Sequence, residues 1–141
     1  MILRGGRGGP NYSSPDVSMA LDLVDAAGLP RRIMVDASHG NSSKDYRRQP
    51  AVAESLADQL ADGERGLVGV MLESFIVAGR QEPGDPATLT YGQSVTDACM
   101  DIEMTAATLD TLAAAVRARR AAADDGAVTH TGAQPRLALA D

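Results

Sequence analysis

Four side chains of types that can bind ions or substrates follow short apolar runs in this sequence. Arg4 follows the first run, Asp36 and His39 follow the second, and Glu73 follows the third. In parallel α/β sheets and barrels, active sites lie where the carboxyl ends of the strands meet. If the three runs are neighbouring parallel strands, these side chains share one edge of the sheet. This alignment is the strongest functional signal that the residues give by themselves.

A candidate metal site combines His39 and Glu73 with Asp97, which lies further along the chain. One imidazole and two carboxylates suit a divalent cation such as manganese, iron, cobalt or zinc. His39 could equally cap a loop, and Glu73 could cap a helix or pair with a basic side chain. The spacing leaves these alternatives open, and a metal site is the sharper hypothesis.

A candidate anion site follows the first apolar run in the segment Arg4-Gly5-Gly6-Arg7-Gly8-Gly9. Such a loop can present backbone N–H groups and two guanidinium groups, which are the donors that bind a phosphate oxyanion. A flexible turn is the alternative. The position of the loop after a strand and near the carboxylates favours the anion site.

The elements that must position these residues alternate between strand and helix. The periodicity predicts strands at residues 1–3, 32–36 and 66–73, and helices at 14–27 and 44–61. Ser14 is the predicted cap of the first helix, and Pro50 should kink or split the second. Because parallel pairing requires long crossovers, this order predicts an α/β fold with parallel strands.

The last third of the sequence is predicted to hold an irregular stretch at 74–99 and a long helix at 101–121. Arg117, Arg119 and Arg120 would lie at the C-terminal end of that helix, where positive charge is favourable. Residues 122–141 lack periodicity and are predicted to be a mobile tail. Residues 1–121 would then form the folded unit.

Composition excludes several classes of function. The 141 residues carry a net charge of -6, 3% aromatic residues and no Trp, which argues against binding to nucleic acids or anionic membranes. No apolar run approaches the ~18 residues of a membrane helix. The sequence has a single cysteine, Cys99, which excludes an internal disulfide and favours a reducing, cytoplasmic setting. We predict that Cys99 is a small buried residue.

Four motifs in this sequence resemble the C-terminal portion of type I 3-deoxy-7-phosphoheptulonate (DAHP) synthases. They are Leu3-Arg4-Gly5-Gly6 with Pro10-Asn11-Tyr12-Ser13, then Asp36-Ala37-Ser38-His39-Gly40-Asn41-Ser42-Ser43-Lys44, then Gly69-Val70-Met71-Leu72-Glu73-Ser74, and Tyr91-Gly92-Gln93-Ser94-Val95-Thr96-Asp97-Ala98-Cys99. They occur in the order of the family and cover residues 1 to about 120. The resemblance implies a partial (β/α)8 TIM barrel that holds the last three βα units.

The family condenses phosphoenolpyruvate with erythrose 4-phosphate and water and releases phosphate, the first step of aromatic amino acid biosynthesis. The resemblance implies that His39, Glu73 and Asp97 are three of four ligands of a divalent metal. It also implies that Arg4 grips the phosphate of phosphoenolpyruvate and that His39 faces the same substrate. Cys99 does not match the family's cysteine ligand, because it belongs to a different motif.

The sequence resembles only the last three of the eight strand–helix units of the family's barrel. The family's cysteine ligand, its Lys-Pro-Arg-Thr segment and its other phosphate-binding residues precede the matched region. We therefore expect a truncated barrel, whose activity belongs to a longer protein or to an assembly of this chain with itself or with a complementing N-terminal half. The alternatives are a catalytically inactive or partner-binding remnant, and, without the family, a small metal-dependent lyase or phosphate-binding protein of another kind.

Overall fold

A sheet of three parallel strands forms the centre of the chain, in a computed structural model that describes residues 1–129. Its strands stand in chain order as β1 (Ile2–Leu3), β2 (Ile33–Asp36) and β3 (Leu67–Met71). Helix α1 (Ser14–Ala26) connects the first pair, and helix α2 (Gln49–Ala61) connects the second. The α/β class and the parallel pairing predicted from the sequence are confirmed.

One apolar layer lies between this sheet and the helices. Val35 of β2 is fully buried in it, and Leu21 of α1 and Leu56 of α2 are also fully buried. Ile2 and Met34 are register partners, so they share a face, and that face points away from the apolar layer. Ile2 is 60% exposed there. The sheet therefore has one packed face and one open face.

Helix α1 begins one residue earlier than predicted. Ser13, not Ser14, is the cap: its hydroxyl accepts from the Asp16 N–H, and the Asp16 carboxylate accepts from the Ser13 N–H. Pro15 lies in the first turn, where its missing N–H costs no hydrogen bond. The buried face of α1 is formed by Val17, Ala20, Leu21 and Val24.

The second helix begins later than predicted. Ser43 and Lys44 have φ angles of 56° and 61°, a left-handed conformation that no α-helix continues, and Tyr46–Arg48 form a 3-10 turn. The helix α2 starts at Gln49, so Pro50 lies in its first turn. The proline separates the 3-10 turn from the helix and introduces no kink within it.

The segment after β3 is more regular than predicted. It contains two short strands, β4 (Val77–Arg80) and β5 (Gln93–Ser94), which pair in parallel. The chain then returns to β3, because the Phe75 N–H donates to the carbonyl of Met100 at 2.9 Å and the Met100 N–H donates to the carbonyl of Glu73 at 3.0 Å. The prediction of an irregular stretch throughout 74–99 was wrong.

The last helix, α3 (Ile102–Thr129), packs against α2 and is longer than predicted. Arg117, Arg119 and Arg120 therefore lie inside it, and the Arg119 guanidinium donates to the carbonyl of Glu64 at 2.6 Å. Residues 122–129 of the predicted tail continue α3, and the remainder of that tail, 130–141, lies outside the described residues. None of the described helices combines the length and apolar character that crossing a membrane requires.

Candidate metal and substrate site

The loop after β2 positions His39. Asp36 is the last residue of the strand, and the chain turns sharply so that His39 adopts a φ of 46°. The Asp36 carboxylate accepts from the Ser38 N–H at 2.8 Å and from the Ser38 hydroxyl at 2.5 Å. Its second oxygen lies 2.7 Å from Nδ1 of His39. The imidazole is therefore held at Nδ1, and its Nε2 faces the neighbouring strand end.

Glu73 lies two residues beyond the end of β3 and is held through its backbone. Gln49, at the start of α2, is fully buried, and its side-chain oxygen accepts from the Glu73 N–H at 2.8 Å. The Gln49 amide nitrogen donates to the carbonyl of Glu73 at 3.2 Å. This leaves the Glu73 carboxylate free to face the open side of the strand ends.

Asp97 lies on the segment that leads from β5 back to the end of β3. Its neighbours are anchored, because Cys99 and Gly79 exchange both backbone hydrogen bonds, at 3.1 and 2.8 Å. The Thr96 N–H also donates to the hydroxyl of Ser94, which is buried. Asp97 itself is exposed, whereas His39 and Glu73 are half-buried.

The structure brings the three predicted ligand residues together. One nitrogen or oxygen atom from each of His39, Glu73 and Asp97 lies within 4.8 Å of the other two. His39 Nε2 is 3.5 Å from a Glu73 carboxylate oxygen. A tetrahedral ion with bonds of about 2.1 Å separates its ligands by about 3.4 Å. The donor set and its spacing thus fit a divalent cation, with the third ligand slightly farther out.

The electrostatics of Glu73 reflect this crowding. Burial raises the pKa of its carboxyl above the ordinary value of 4.5, and the negative charges of Asp97 and Asp36 raise it further. His39 and Arg4 act in the opposite direction. The cluster is therefore rich in negative charge without a bound cation, which is the electrostatic condition that favours binding one.

The glycine loop after β1 uses three of its backbone N–H donors within the loop itself. The Gly5 N–H donates to the Asn11 side chain at 2.7 Å, and Gly6 and Gly9 exchange hydrogen bonds at 3.0 Å across a tight turn. Those three N–H groups are therefore satisfied within the loop. Arg4 keeps an exposed side chain whose charge acts on Glu73.

Close backbone contact ties this loop to the one that carries His39. The Gly40 N–H donates to the carbonyl of Arg4 at 3.0 Å. A Cβ atom on Gly5, which has a φ of 72°, would lie 2.5 Å from the carbonyl carbon of Gly40. Only glycine permits that approach, so Gly5 sets the distance between the ends of β1 and β2.

Two buried amides organise the site and were missed from the sequence. Gln49 holds Glu73, and Asn41 donates to the carbonyl of Asp36 at 2.8 Å and accepts from the Asn11 N–H at 2.8 Å. A buried side chain that bonds the backbone of a residue distant in sequence has no local signature. For Asn41, the only available signal was its place two residues after His39.

Cys99 is half-buried, and its thiol is directed to the carbonyl of Asp97 at 3.5 Å. Burial raises the pKa of this thiol, and Glu73 and Asp97 raise it further. The cysteine is not part of the cluster of ligand atoms formed by His39, Glu73 and Asp97.

Fold and site together define an α/β protein that gathers ionisable side chains at the carboxyl ends of parallel strands. The model of the DAHP synthetase I family matches residues 1–110, and the chain belongs to that family. The resemblance inferred from the four motifs is thereby confirmed.

Two phospho-2-dehydro-3-deoxyheptonate aldolases are similar in sequence to most of this chain. The chain is 52% identical over 124 residues to the tyrosine-inhibited phospho-2-dehydro-3-deoxyheptonate aldolase of Schizosaccharomyces pombe, covering 85% of this chain and 33% of that one. It is 54% identical over 110 residues to the Tyr-sensitive enzyme of Escherichia coli K12, covering 77% and 31%.

A solved structure also matches. The phospho-2-dehydro-3-deoxyheptonate aldolase of Francisella tularensis superposes with a TM-score of 0.80 at 43% identity, covering 84% of this chain and 34% of that one. The chain thus spans about a third of the length of the relatives that it matches.

Proposed function

We propose that this chain supplies the C-terminal third of the active site of a metal-dependent DAHP synthase. The observation that carries the proposal is the cluster of His39, Glu73 and Asp97 at the strand ends of a chain that belongs to this family. The reaction would join phosphoenolpyruvate, erythrose 4-phosphate and water to give DAHP and phosphate.

The proposed architecture is a part of a (β/α)8 barrel, made of its last three βα units. Two observations support it. The three strands are parallel and in chain order, with a helix after each strand. Within residues 1–129, β1 and β3 each have one strand neighbour, so both outer edges of the sheet are open to further parallel strands.

The proposed metal ligands are His39 through Nε2, and Glu73 and Asp97 through their carboxylates. A bound divalent ion (Mn, Fe, Co or Zn) would supply Lewis acidity that polarises the aldehyde carbonyl of erythrose 4-phosphate. Asp36 holds the imidazole and Gln49 holds the backbone of Glu73. These contacts fix two of the ligands before any substrate arrives.

Arg4 is the proposed binding residue for the phosphate of phosphoenolpyruvate, which His39 would also face. Arg4 directly follows β1, its side chain is exposed and its charge acts on Glu73, and a guanidinium can donate paired hydrogen bonds to phosphate oxygens. The enol carbon of phosphoenolpyruvate then attacks the aldehyde carbon, water adds at the adjacent carbon, and the C–O bond to phosphate breaks. Arg4 stabilises the charge of the leaving phosphate.

The proposed partner is the N-terminal portion of such a barrel, carried either by a longer form of this polypeptide or by a separate one. Beside β3 lies an apolar groove of about 350 Å³, between that strand and α3, lined by Leu67, Val68, Leu112 and Val116 among others. A further parallel strand placed along β3 would fill this groove. A second copy of this chain is the competing occupant.

A catalytically inactive remnant is the second candidate function. The open face and the exposed apolar side chains of the outer strands favour it, since an incomplete barrel buries less apolar surface than a closed one. Such a chain would bind a partner through its sheet edges without turning over substrate.

The test is phosphate release from phosphoenolpyruvate and erythrose 4-phosphate with Mn²⁺. The chain is assayed alone and with the N-terminal two thirds of the Escherichia coli relative, which is also assayed by itself. Release by the mixture that disappears with His39→Ala supports the proposal. Release by the chain alone identifies self-association as the route to a complete site. No release in any arm, with folded proteins that bind each other, identifies a remnant.

Arg4 is tested in the same assay against a neighbour in its own loop. Arg4→Ala should lower turnover at limiting phosphoenolpyruvate by about 10- to 100-fold, the effect of one charged hydrogen-bonding group. Arg7→Ala removes the same charge from the tip of the loop and should have little effect. Equal losses in the two variants would contradict the role assigned to Arg4.

A further inference from the structure

The imidazole of His39 contacts different groups at its two nitrogens. Nε2 faces the cluster, 3.5 Å from Glu73. Nδ1 lies 2.7 Å from a carboxylate oxygen of Asp36 and 2.8 Å from the hydroxyl of Ser38. The ring is therefore engaged at the nitrogen that does not face the candidate metal site.

Asp36 is too fully engaged to be a metal ligand itself. It is 3% exposed, and one carboxylate oxygen already accepts from the N–H and the hydroxyl of Ser38. The other oxygen is the one directed to His39. Because Ser38 donates its hydroxyl proton to Asp36, that hydroxyl has no proton left for His39.

We propose that Asp36 is a positioning residue that fixes the tautomer and the orientation of His39. A carboxylate at Nδ1 keeps the ring proton on that nitrogen when the ring is neutral. The lone pair is then on Nε2, the atom that faces Glu73 and Asp97. This role rests on the proposed function only in that it makes Nε2 available to a metal.

Asp36 is better placed to orient the imidazole than the backbone of His39 is. His39 stands in a left-handed backbone conformation with a φ of 46°, which no repeating element stabilises. Asn41 fixes the Asp36 carbonyl at 2.8 Å, and Ser38 fixes the Asp36 carboxylate. Asp36 is thus the rigid end of the pair, and the imidazole is the end that is oriented.

The direct test is the tautomer of His39, read from long-range ¹H–¹⁵N correlations of the metal-free chain at a pH where the ring is neutral. A His130→Gln background leaves His39 as the single histidine. The expected spectrum has the proton on Nδ1 and a free Nε2. A protonated Nε2 in this otherwise unaltered site would overturn the proposal, and no substitution of Asp36 is needed to reach that result.

Asp36→Ala in the same background should move the proton to Nε2, the form usual for free histidine. Circular dichroism checks that the variant remains folded. Asp45→Asn is the matched control, because Asp45 lies in the same connection and accepts from the Arg47 N–H at 3.0 Å without touching His39. An Asp36→Ala spectrum that keeps the proton on Nδ1 would contradict the proposal.

Mn²⁺ binding to the full chain, followed by the loss of the free-ion electron paramagnetic resonance signal, gives the second readout. Asp36→Ala should weaken binding by about 10- to 100-fold and Asp45→Asn by less than twofold. If the unsubstituted chain binds no Mn²⁺, the proposed metal site fails, and the tautomer still decides the role of Asp36. Binding by the unsubstituted chain with equal affinity in Asp36→Ala would overturn the positioning role.

Discussion

Gln49 holds Glu73 by both polar groups of its backbone, through a side-chain amide that is completely buried. The two residues are 24 positions apart and belong to different strand–helix units. The contact joins the start of α2 to the end of β3 and so fixes the height of the Glu73 carboxylate above the sheet.

Replacing this amide should damage both the fold and the site. Gln49→Ala leaves the Glu73 N–H without its partner, at a cost of about 1 to 3 kcal/mol in the free energy of unfolding, whereas the Glu73 carbonyl keeps the hydrogen bond from the Met100 N–H. Mn²⁺ affinity should fall as well, because Glu73 is no longer held. Urea denaturation and Mn²⁺ titration measure the two effects.

The control for Gln49 is Gln59→Ala in the same helix. Gln59 donates to the carbonyl of Tyr12 at 2.9 Å and lies away from the cluster. The Gln59→Ala substitution should reduce the free energy of unfolding while leaving the Mn²⁺ affinity unchanged. If both variants change Mn²⁺ affinity equally, the loss reflects general destabilisation and not the contact with Glu73.

Gly5→Ala should be far more destabilising than Gly6→Ala. At Gly5 a methyl group meets the backbone of Gly40 at 2.5 Å and the φ is 72°, whereas at Gly6 no atom lies within 4 Å. Left-handed backbone costs a non-glycine residue about 1 to 2 kcal/mol, and the clash adds to that. Urea denaturation of the two variants measures the difference, and equal stability would refute the close approach.

The raised pKa of Glu73 predicts the pH dependence of the metal-free fold. A carboxyl with a higher pKa in the folded than in the unfolded state binds extra protons when folded, so its contribution to stability decreases as the pH rises. The decrease should begin near the ordinary value of 4.5 and end above the raised pKa. Glu73→Gln should therefore unfold at a higher temperature than the unsubstituted chain at about pH 7, with the gap closing in acid.

Thermal unfolding across this pH range measures the effect of Glu73→Gln. Glu54→Gln, an exposed residue of α2, removes the same charge away from the cluster and serves as the control. With Mn²⁺ added the order should reverse at neutral pH, because the ion stabilises only the chain that retains its ligand. A Glu73→Gln chain that is less stable than the unsubstituted chain in the absence of metal would contradict this account.

Val68→Asp should prevent association along β3 while leaving the isolated chain folded. Val68 lines the groove and is 59% exposed, so a charge there costs the isolated chain little but cannot enter an apolar contact. Leu23→Asp is the control, since Leu23 is 60% exposed on α1. Light scattering with the N-terminal portion of the Escherichia coli relative should show a complex with Leu23→Asp and none with Val68→Asp.

The ends of the strands could be predicted because, in an α/β sequence, a short apolar run followed by a polar side chain indicates a buried strand that ends at that side chain. This placed Arg4, His39 and Glu73 at one edge. The contacts of Gln49 and Asn41 could not be predicted, since they depend on tertiary neighbours. The backbone N–H groups of Gly5 and Gly6 were predicted to bind an anion, but they donate to partners within the folded loop, which the sequence does not reveal.

The errors in element boundaries have separate physical causes. Strand β5 has two residues, too few for any periodicity to be visible. The continuation of α3 beyond residue 121 was hidden because its sequence lacks an apolar stripe, although alanine, which is abundant there, is the strongest helix former. Pro50 was ambiguous because the same residue can start a helix or break one.

The route by which the chain delivers Asp97 has a kinetic consequence. His39 and Glu73 follow strands of the central sheet directly, whereas Asp97 arrives on a segment held to Glu73 and Gly79 by a few backbone hydrogen bonds. Such a segment can open while the sheet remains intact. Capture and release of an ion would then be governed by how often residues 74–101 detach, so that hydrogen exchange at Cys99 and Met100 would report the rate at which the site opens.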